Sequence, residues 1–134
     1  MTEQKTSKAL NISLWVAQGL LATAFGMAGF MKLIMPTEEL IAKGMGFVSE
    51  YGVGMVRFIG ISEVMGALGL ILPAVLRIKP ILTSMAAIGI AIIMVLAAVY
   101  HFSHNEPIMP TIILLVLALF VAWGRLIKEP IKTK

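Results

Sequence analysis

The stretch Ile81–Tyr100, ILTSMAAIGIAIIMVLAAVY, contains no charged residue and no proline. The hydrocarbon core of a bilayer is about 30 Å thick and takes about 20 apolar residues of helix to cross. This stretch meets that length. It far exceeds the roughly 10 residues of a barrel strand and lacks alternation, so it predicts a helix. Working outward, three further runs qualify: Ile12–Ile34, Met55–Leu76 and Ile108–Ile127. The expected fold class is all-α: an integral membrane bundle of four antiparallel helices, one domain over residues 1–134.

Composition agrees. The chain is 59% hydrophobic and 13% charged, against about 45–50% and 25% for soluble domains, and its mean hydropathy is +0.95. There is no cysteine, which excludes disulfides, thiolate nucleophiles and iron–sulfur ligation. The net charge of +4 does not point to nucleic acid, because the cations flank apolar spans and do not line a polar face. Lys5 and Lys8, then an apolar stretch, then Ala22-Thr23-Ala24 superficially resemble a cleaved signal. The apolar run continues to Ile34, so a retained span is expected.

Lys and Arg set the orientation. Lys5, Lys8, Arg77, Lys79, Arg125, Lys128, Lys132 and Lys134 lie on one side, and Lys32, Lys43 and Arg57 on the other. The side richer in cations carries both termini, which are therefore expected in the cytoplasm of a cell whose cytoplasmic membrane holds the chain.

Two connections are tight: Arg77 to Pro80, with Pro80 at the start of the third span, and Asn105-Glu106-Pro107 before the fourth. The long connection runs from Met35 to Gly54. In it Thr37 is the expected N-cap of a short helix with Glu38 and Glu39 in its first turn. Leu40, Ile41, Met45, Phe47 and Val48 are expected to lie on the membrane surface as a short amphipathic segment between the first two spans.

Burial of apolar surface does not drive helices together in lipid, so close packing must. Gly19, Gly26, Gly29, Gly60, Gly66 and Gly69 are the expected contact positions, and the ten methionines read as adaptable packing. Trp15, Tyr100 and Trp123, near span ends, read as interface anchors.

Glu63 is the residue that packing does not explain. A carboxylate at helix centre costs on the order of 2.5–3.5 kcal/mol on insertion scales, so it should face the bundle interior and find a cation. Lys32, Arg57 and His101 are expected in the same half of the bundle, with Gln18 deeper. Arg57 and Glu63 are six residues apart and lie on different helix faces, so Lys32 or His101 is the expected partner. Two readings compete: a buried ion pair that fixes helix register, or a polar pocket open to the outer side, formed by Lys32, Arg57, Glu63 and His101 with Gln18 and His104 as secondary candidates, that takes a small ligand head group or passes a proton. His101, His104 and Glu106 are too few for a metal site without help from elsewhere, and His101 is too near the edge for an axial haem ligand.

Phe25-Gly26-Met27-Ala28-Gly29-Phe30-Met31-Lys32-Leu33 resembles the end of the first helix in the DoxX and DoxX-like proteins. Phe58 to Pro73, with Gly60, Glu63, Gly66 and Gly69, resembles their second helix. Ala97-Ala98-Val99-Tyr100-His101 resembles the end of the third, and Pro110 to Arg125 the fourth. The resemblance implies a four-helix protein of a bacterial or archaeal cytoplasmic membrane. The family takes its name from a subunit of a thiosulfate:quinone oxidoreductase, and some relatives are linked to oxidative-stress complexes. It therefore implies an accessory subunit beside another membrane redox protein, with quinone as the ligand to consider and a homo-oligomer left open. It selects Lys32, Glu63 and His101, the residues the energetic argument also selects. The absence of cysteine argues against a thiol-based role. A small-solute or proton-coupled transporter and a ligand-free assembly factor are the alternative readings.

Overall fold

The computed structural model describes the backbone of residues 2–133 and the side chains of residues 8–133. Lys5 and Lys134, two of the cations that set the expected orientation, have side chains outside the described residues. Helix α1 spans Thr2–Ile34, α2 Thr37–Ala42, α3 Phe47–Leu76, α4 Ile81–Ser103 and α5 Met109–Trp123, followed by a π-helical turn over Gly124–Lys128. Lys8–Ile34, Phe47–Leu76, Ile81–Ser103 and Met109–Lys128 are long and apolar enough to cross a membrane, and the described residues contain no strand. Helices α1, α3, α4 and α5 pack in a closed ring, α1 on α3, α3 on α4, α4 on α5 and α5 back on α1. We call the end carrying both termini and the α3–α4 turn the terminal end, and the other the loop end.

The bundle is apolar outside and small or polar inside. Ile81, Met85, Ile88, Ile92, Val95, Val99 and Phe102 form an exposed stripe on α4 at three- and four-residue spacing, the helical period. The buried interior holds Ala17, Ala67, Ala87, Ala91, Ala118 and Ala122 around Leu21, Phe25, Leu70 and Ile90. Such an exterior suits lipid, and the small interior lets backbones approach. Exposed hydroxyls turn back on their own helix: Ser13 donates to the Ala9 carbonyl at 2.9 Å, Thr23 to Gly19 at 2.8 Å and Ser62 to Phe58 at 2.9 Å. A donor facing hydrocarbon has no water to use, so the preceding turn serves it.

A close helix crossing joins α1 to α3. A Cβ on Gly29 would lie 2.7 Å from the Gly60 carbonyl oxygen, and one on Gly60 would lie 2.9 Å from that of Gly29. Only glycine at both positions permits this approach. Between α3 and α4, Gly69 leaves room for the Ala86 methyl, which a Cβ would meet at 2.8 Å.

The long connection departs from expectation. Thr37 is not the N-cap: Pro36 is, in an extended conformation and without a side-chain bond. Its fixed φ starts the helix, and its carbonyl accepts from the N–H groups of Glu39 and Leu40 at 3.1 and 3.2 Å. Helix α3 begins at Phe47, earlier than the apolar run suggests, and bends at Gly52, whose φ of 87° is a left-handed-region value open to glycine. Leu40 and Val48 do not face the membrane surface. They are buried with Val56, against Met35, Met45 and Phe47, and seal the loop end, while Ile41 remains exposed.

Replacing Gly29 or Gly60 by alanine is expected to destabilise the protein in detergent by about 1–3 kcal/mol, the usual cost of overpacking. Gly19→Ala, with nothing within 4 Å of the added methyl, is the control and should leave the melting temperature unchanged or slightly raised. Thermal unfolding of the three variants checks this.

Candidate functional site

Three residues after Gly29 comes Lys32, and three after Gly60 comes Glu63. Because α1 and α3 run antiparallel, the two residues lie one turn to either side of the glycine crossing, and their side chains meet across it, with Lys32 Nζ donating to Glu63 Oε1 at 2.8 Å. Both are buried, at 7% and 4% exposure. The small-residue crossing and the ion pair are therefore parts of one contact. Among the described residues Nζ makes this single hydrogen bond, and the second carboxylate oxygen of Glu63 accepts none. The pair retains two N–H donors and one acceptor oxygen.

Arg57 does not join Glu63. It donates to the backbone carbonyls of Lys32 and Met35 at 2.5 and 3.0 Å. These carbonyls end α1 and have no helical donor, so Arg57 caps that helix and anchors the backbone of the residue that pairs with Glu63. His101 is also occupied elsewhere. Its Nδ1 lies 2.6 Å from Glu106 Oε1, and the Glu106 N–H donates to the His101 carbonyl at 2.8 Å. Asn105, at φ 57°, folds the chain back so that Glu106 reaches His101. Of the two expected partners, Lys32 takes Glu63 and His101 closes the α4–α5 loop.

His104 joins different elements. Its ring stacks on Tyr100 with centroids 4.0 Å apart. Its Nε2 lies 2.7 Å from Glu50 Oε1 and its Nδ1 2.8 Å from the Tyr100 carbonyl oxygen. Both partners are acceptors, so both nitrogens donate only when the ring is the imidazolium. Tyr100, expected as an interface anchor, also sits against Phe47 and Tyr51.

Gln18 lies in a second polar cluster at the terminal end, where sequence reasoning counted Arg125 only as a flanking cation. Arg125 is 3% exposed. Its Nε donates to Gln18 Oε1 at 2.7 Å, and its Nη1 to Asn11 Oδ1 at 2.7 Å and the Glu129 carbonyl at 2.8 Å. Its guanidinium stands over the Trp15 ring, 5.4 Å from the centroid. Gln18 in turn donates through Nε2 to the Leu70 carbonyl at 2.7 Å. A donor-only guanidinium and an acceptor-only carbonyl fix the orientation of the amide. The π-helical turn carries Arg125 inward, with the Glu129 N–H reaching the Gly124 carbonyl at 2.6 Å, and Gly124 admits Leu14 against its Cα. One signal pointed here: Asn11, Trp15 and Gln18 fall at i, i+4 and i+7, a single helix face.

The two clusters are separated by an apolar layer. Phe25 lies midway along α1 between Gln18 and Lys32, and Ala67 lies between Glu63 and Leu70 on α3. Both belong to one core with Ile90 and Met94. No group of three His, Asp or Glu side chains suited to a metal ion occurs among the described residues.

A bundle of four membrane-crossing helices with charged and polar groups turned inward defines a small multi-pass membrane protein. A sequence model of the DoxX-like family matches residues 16–124, and the chain belongs to that family. The match takes in Gln18, Lys32, Arg57, Glu63, His101 and His104 and ends at Gly124. No curated protein and no solved structure shows a significant match.

The His104 pair makes a prediction about pH. The Tyr100 carbonyl, and after it the Glu50 carboxylate, raise the His104 pKa above its ordinary value of 6.5. The link between α3 and α4 is then fully formed below the unfolded-state pKa and fades as pH rises through the raised value. An NMR titration of the imidazole should give a midpoint above that of an unperturbed histidine, and Glu50→Gln should lower it. A wild-type midpoint at or below the ordinary value contradicts the pairing.

Proposed function

We propose that this DoxX-like protein is an accessory subunit of a quinone-linked or oxidative-stress-related membrane system, and that Lys32 and Glu63 hold a quinone head group or a polar group of a partner. The single observation that carries this reading is the buried ion pair with hydrogen-bonding capacity left over. A quinone carbonyl is an acceptor suited to the remaining Nζ donors, and a hydroxyl of the reduced ring suits the second oxygen of Glu63. In this reading Arg57 is a positioning residue that fixes the Lys32 backbone, and His101 acts only by shaping the loop end. The chain sits in the cytoplasmic membrane with both termini inside, as the excess of Lys and Arg at the terminal end supports. The apolar layer around Phe25 and Ala67 speaks against the transporter reading, which needs a continuous polar route.

The Gly29–Gly60 crossing favours a second reading, in which the pair only sets the register of α1 on α3. Binding of decylubiquinone to the protein in nanodiscs separates the two. The first reading expects saturable binding that weakens about tenfold or more in Glu63→Gln, equivalent to about 1.4 kcal/mol. Absent binding in the wild type, or equal binding in the variant, favours the register reading. A liposome flux assay with the wild type should show no solute or proton movement above that of empty vesicles.

A further inference from the structure

A cavity of about 500 Å³ opens at the terminal end, lined by Asn11, Trp15, Val75, Arg77, Glu129 and Lys132 among others. That volume falls within the range of small-ligand sites, about 300–1,000 Å³. Its charged lining is two cations and one carboxylate. Behind it stands Arg125, and three of the cavity's residues are held by that one side chain: Asn11 and Glu129 by hydrogen bonds, Trp15 by its ring face. Arg125 forms no ion pair among the described residues. Its guanidinium is hydrogen-bonded to neutral acceptors, and the Glu129 carboxylate acts on it only from beyond contact distance, so part of its charge adds to the field of Arg77 and Lys132. The cavity also lies at the edge of the apolar belt. Val75, on its rim, is 59% exposed, and Val16, next to Trp15, is 57% exposed, so acyl chains have a surface to run along directly below it.

We propose that this cavity is a binding site for the phosphate-bearing head group of an acidic phospholipid. Arg77 and Lys132 contact the phosphate, Asn11 offers a polar side chain, and Trp15 packs against the glycerol region. The fatty chains lie on the exposed α1 and α3 surface beside Val16 and Val75. Arg125 is a positioning residue that holds the wall of the site. Basic pockets between spanning helices suit anionic head groups, and the adjoining apolar surface distinguishes a lipid from free phosphate. Glu129 also lines the cavity and disfavours an anion placed against its carboxylate, so the head group sits toward Arg77 and Lys132. The site is at the opposite end of the bundle from Lys32 and Glu63 and does not depend on the function proposed for them.

Native mass spectrometry of the full chain in detergent, titrated with phosphatidylglycerol, phosphatidylcholine or inorganic phosphate, tests this. Saturable retention of phosphatidylglycerol over phosphatidylcholine is expected, reduced about fivefold in Arg77→Gln and in Lys132→Gln. Lys43→Gln, which removes the same charge at the loop end, should retain it as the wild type does. In a Trp123→Phe background, Trp15 fluorescence should shift with phosphatidylglycerol and not with phosphate. Equal retention of the two lipids, or undiminished retention in both cavity variants, overturns the proposal. Displacement of the lipid by millimolar inorganic phosphate overturns its assignment as a lipid site.

Discussion

Inside a bilayer no water is available to a polar group, and every buried donor and acceptor must find its partner within the protein. The contact between Lys32 and Glu63 is where that constraint bears hardest. A carboxylate near the middle of α3 has to be met by a cation from another helix. That cation reaches it because Gly29 and Gly60 let the two backbones touch one turn away. Arg57 holds the end of α1 by its last carbonyls, which places Lys32 at the right depth. Crossing, cap and ion pair fix the register of α1 against α3 together. Removing one partner of a buried pair leaves a charge without compensation, at a cost of about 3–5 kcal/mol.

The terminal end obeys the same rule by different means. Arg125 is met by neutral groups: an amide from Gln18, an amide from Asn11, a backbone carbonyl and an aromatic face. Gln18 links this cluster to α3 through the Leu70 carbonyl, close to Pro73, which lacks an N–H and leaves the Gly69 carbonyl without its helical donor. The interior is therefore polar at two levels and apolar between them. Two exceptions remain in α4, the buried hydroxyls of Thr83 and Ser84, which have no protein partner among the described residues.

The four spans were legible because their length and freedom from charge leave no other structure possible in lipid. Glu63 was legible for the same reason, since its cost marks it as needing a partner, and Lys32 was one of two residues at the right depth. Choosing between Lys32 and His101 was beyond the sequence, because it turns on Asn105 adopting a left-handed conformation that delivers Glu106 to His101. The capping of α1 by Arg57 was not legible, because the carbonyls it meets belong to no particular residue type. Arg125 was misread as a flanking cation because the π-helical turn shifts its register after an otherwise ordinary helix. Leu40 and Val48 read as surface residues because a short apolar segment has the same pattern whether it faces lipid or a protein core.

The most direct measurement is the separation of the two charged groups in the membrane. Solid-state NMR of the protein in lipid, labelled with ¹⁵N at lysine side chains and ¹³C at glutamate carboxyls, reports it through dipolar recoupling. A short-range coupling between Lys32 Nζ and the Glu63 carboxyl carbon is expected, as the 2.8 Å contact to its oxygen requires, with its loss in Lys32→Met. A wild-type spectrum with no such coupling would place the two groups apart and contradict the arrangement on which the site rests.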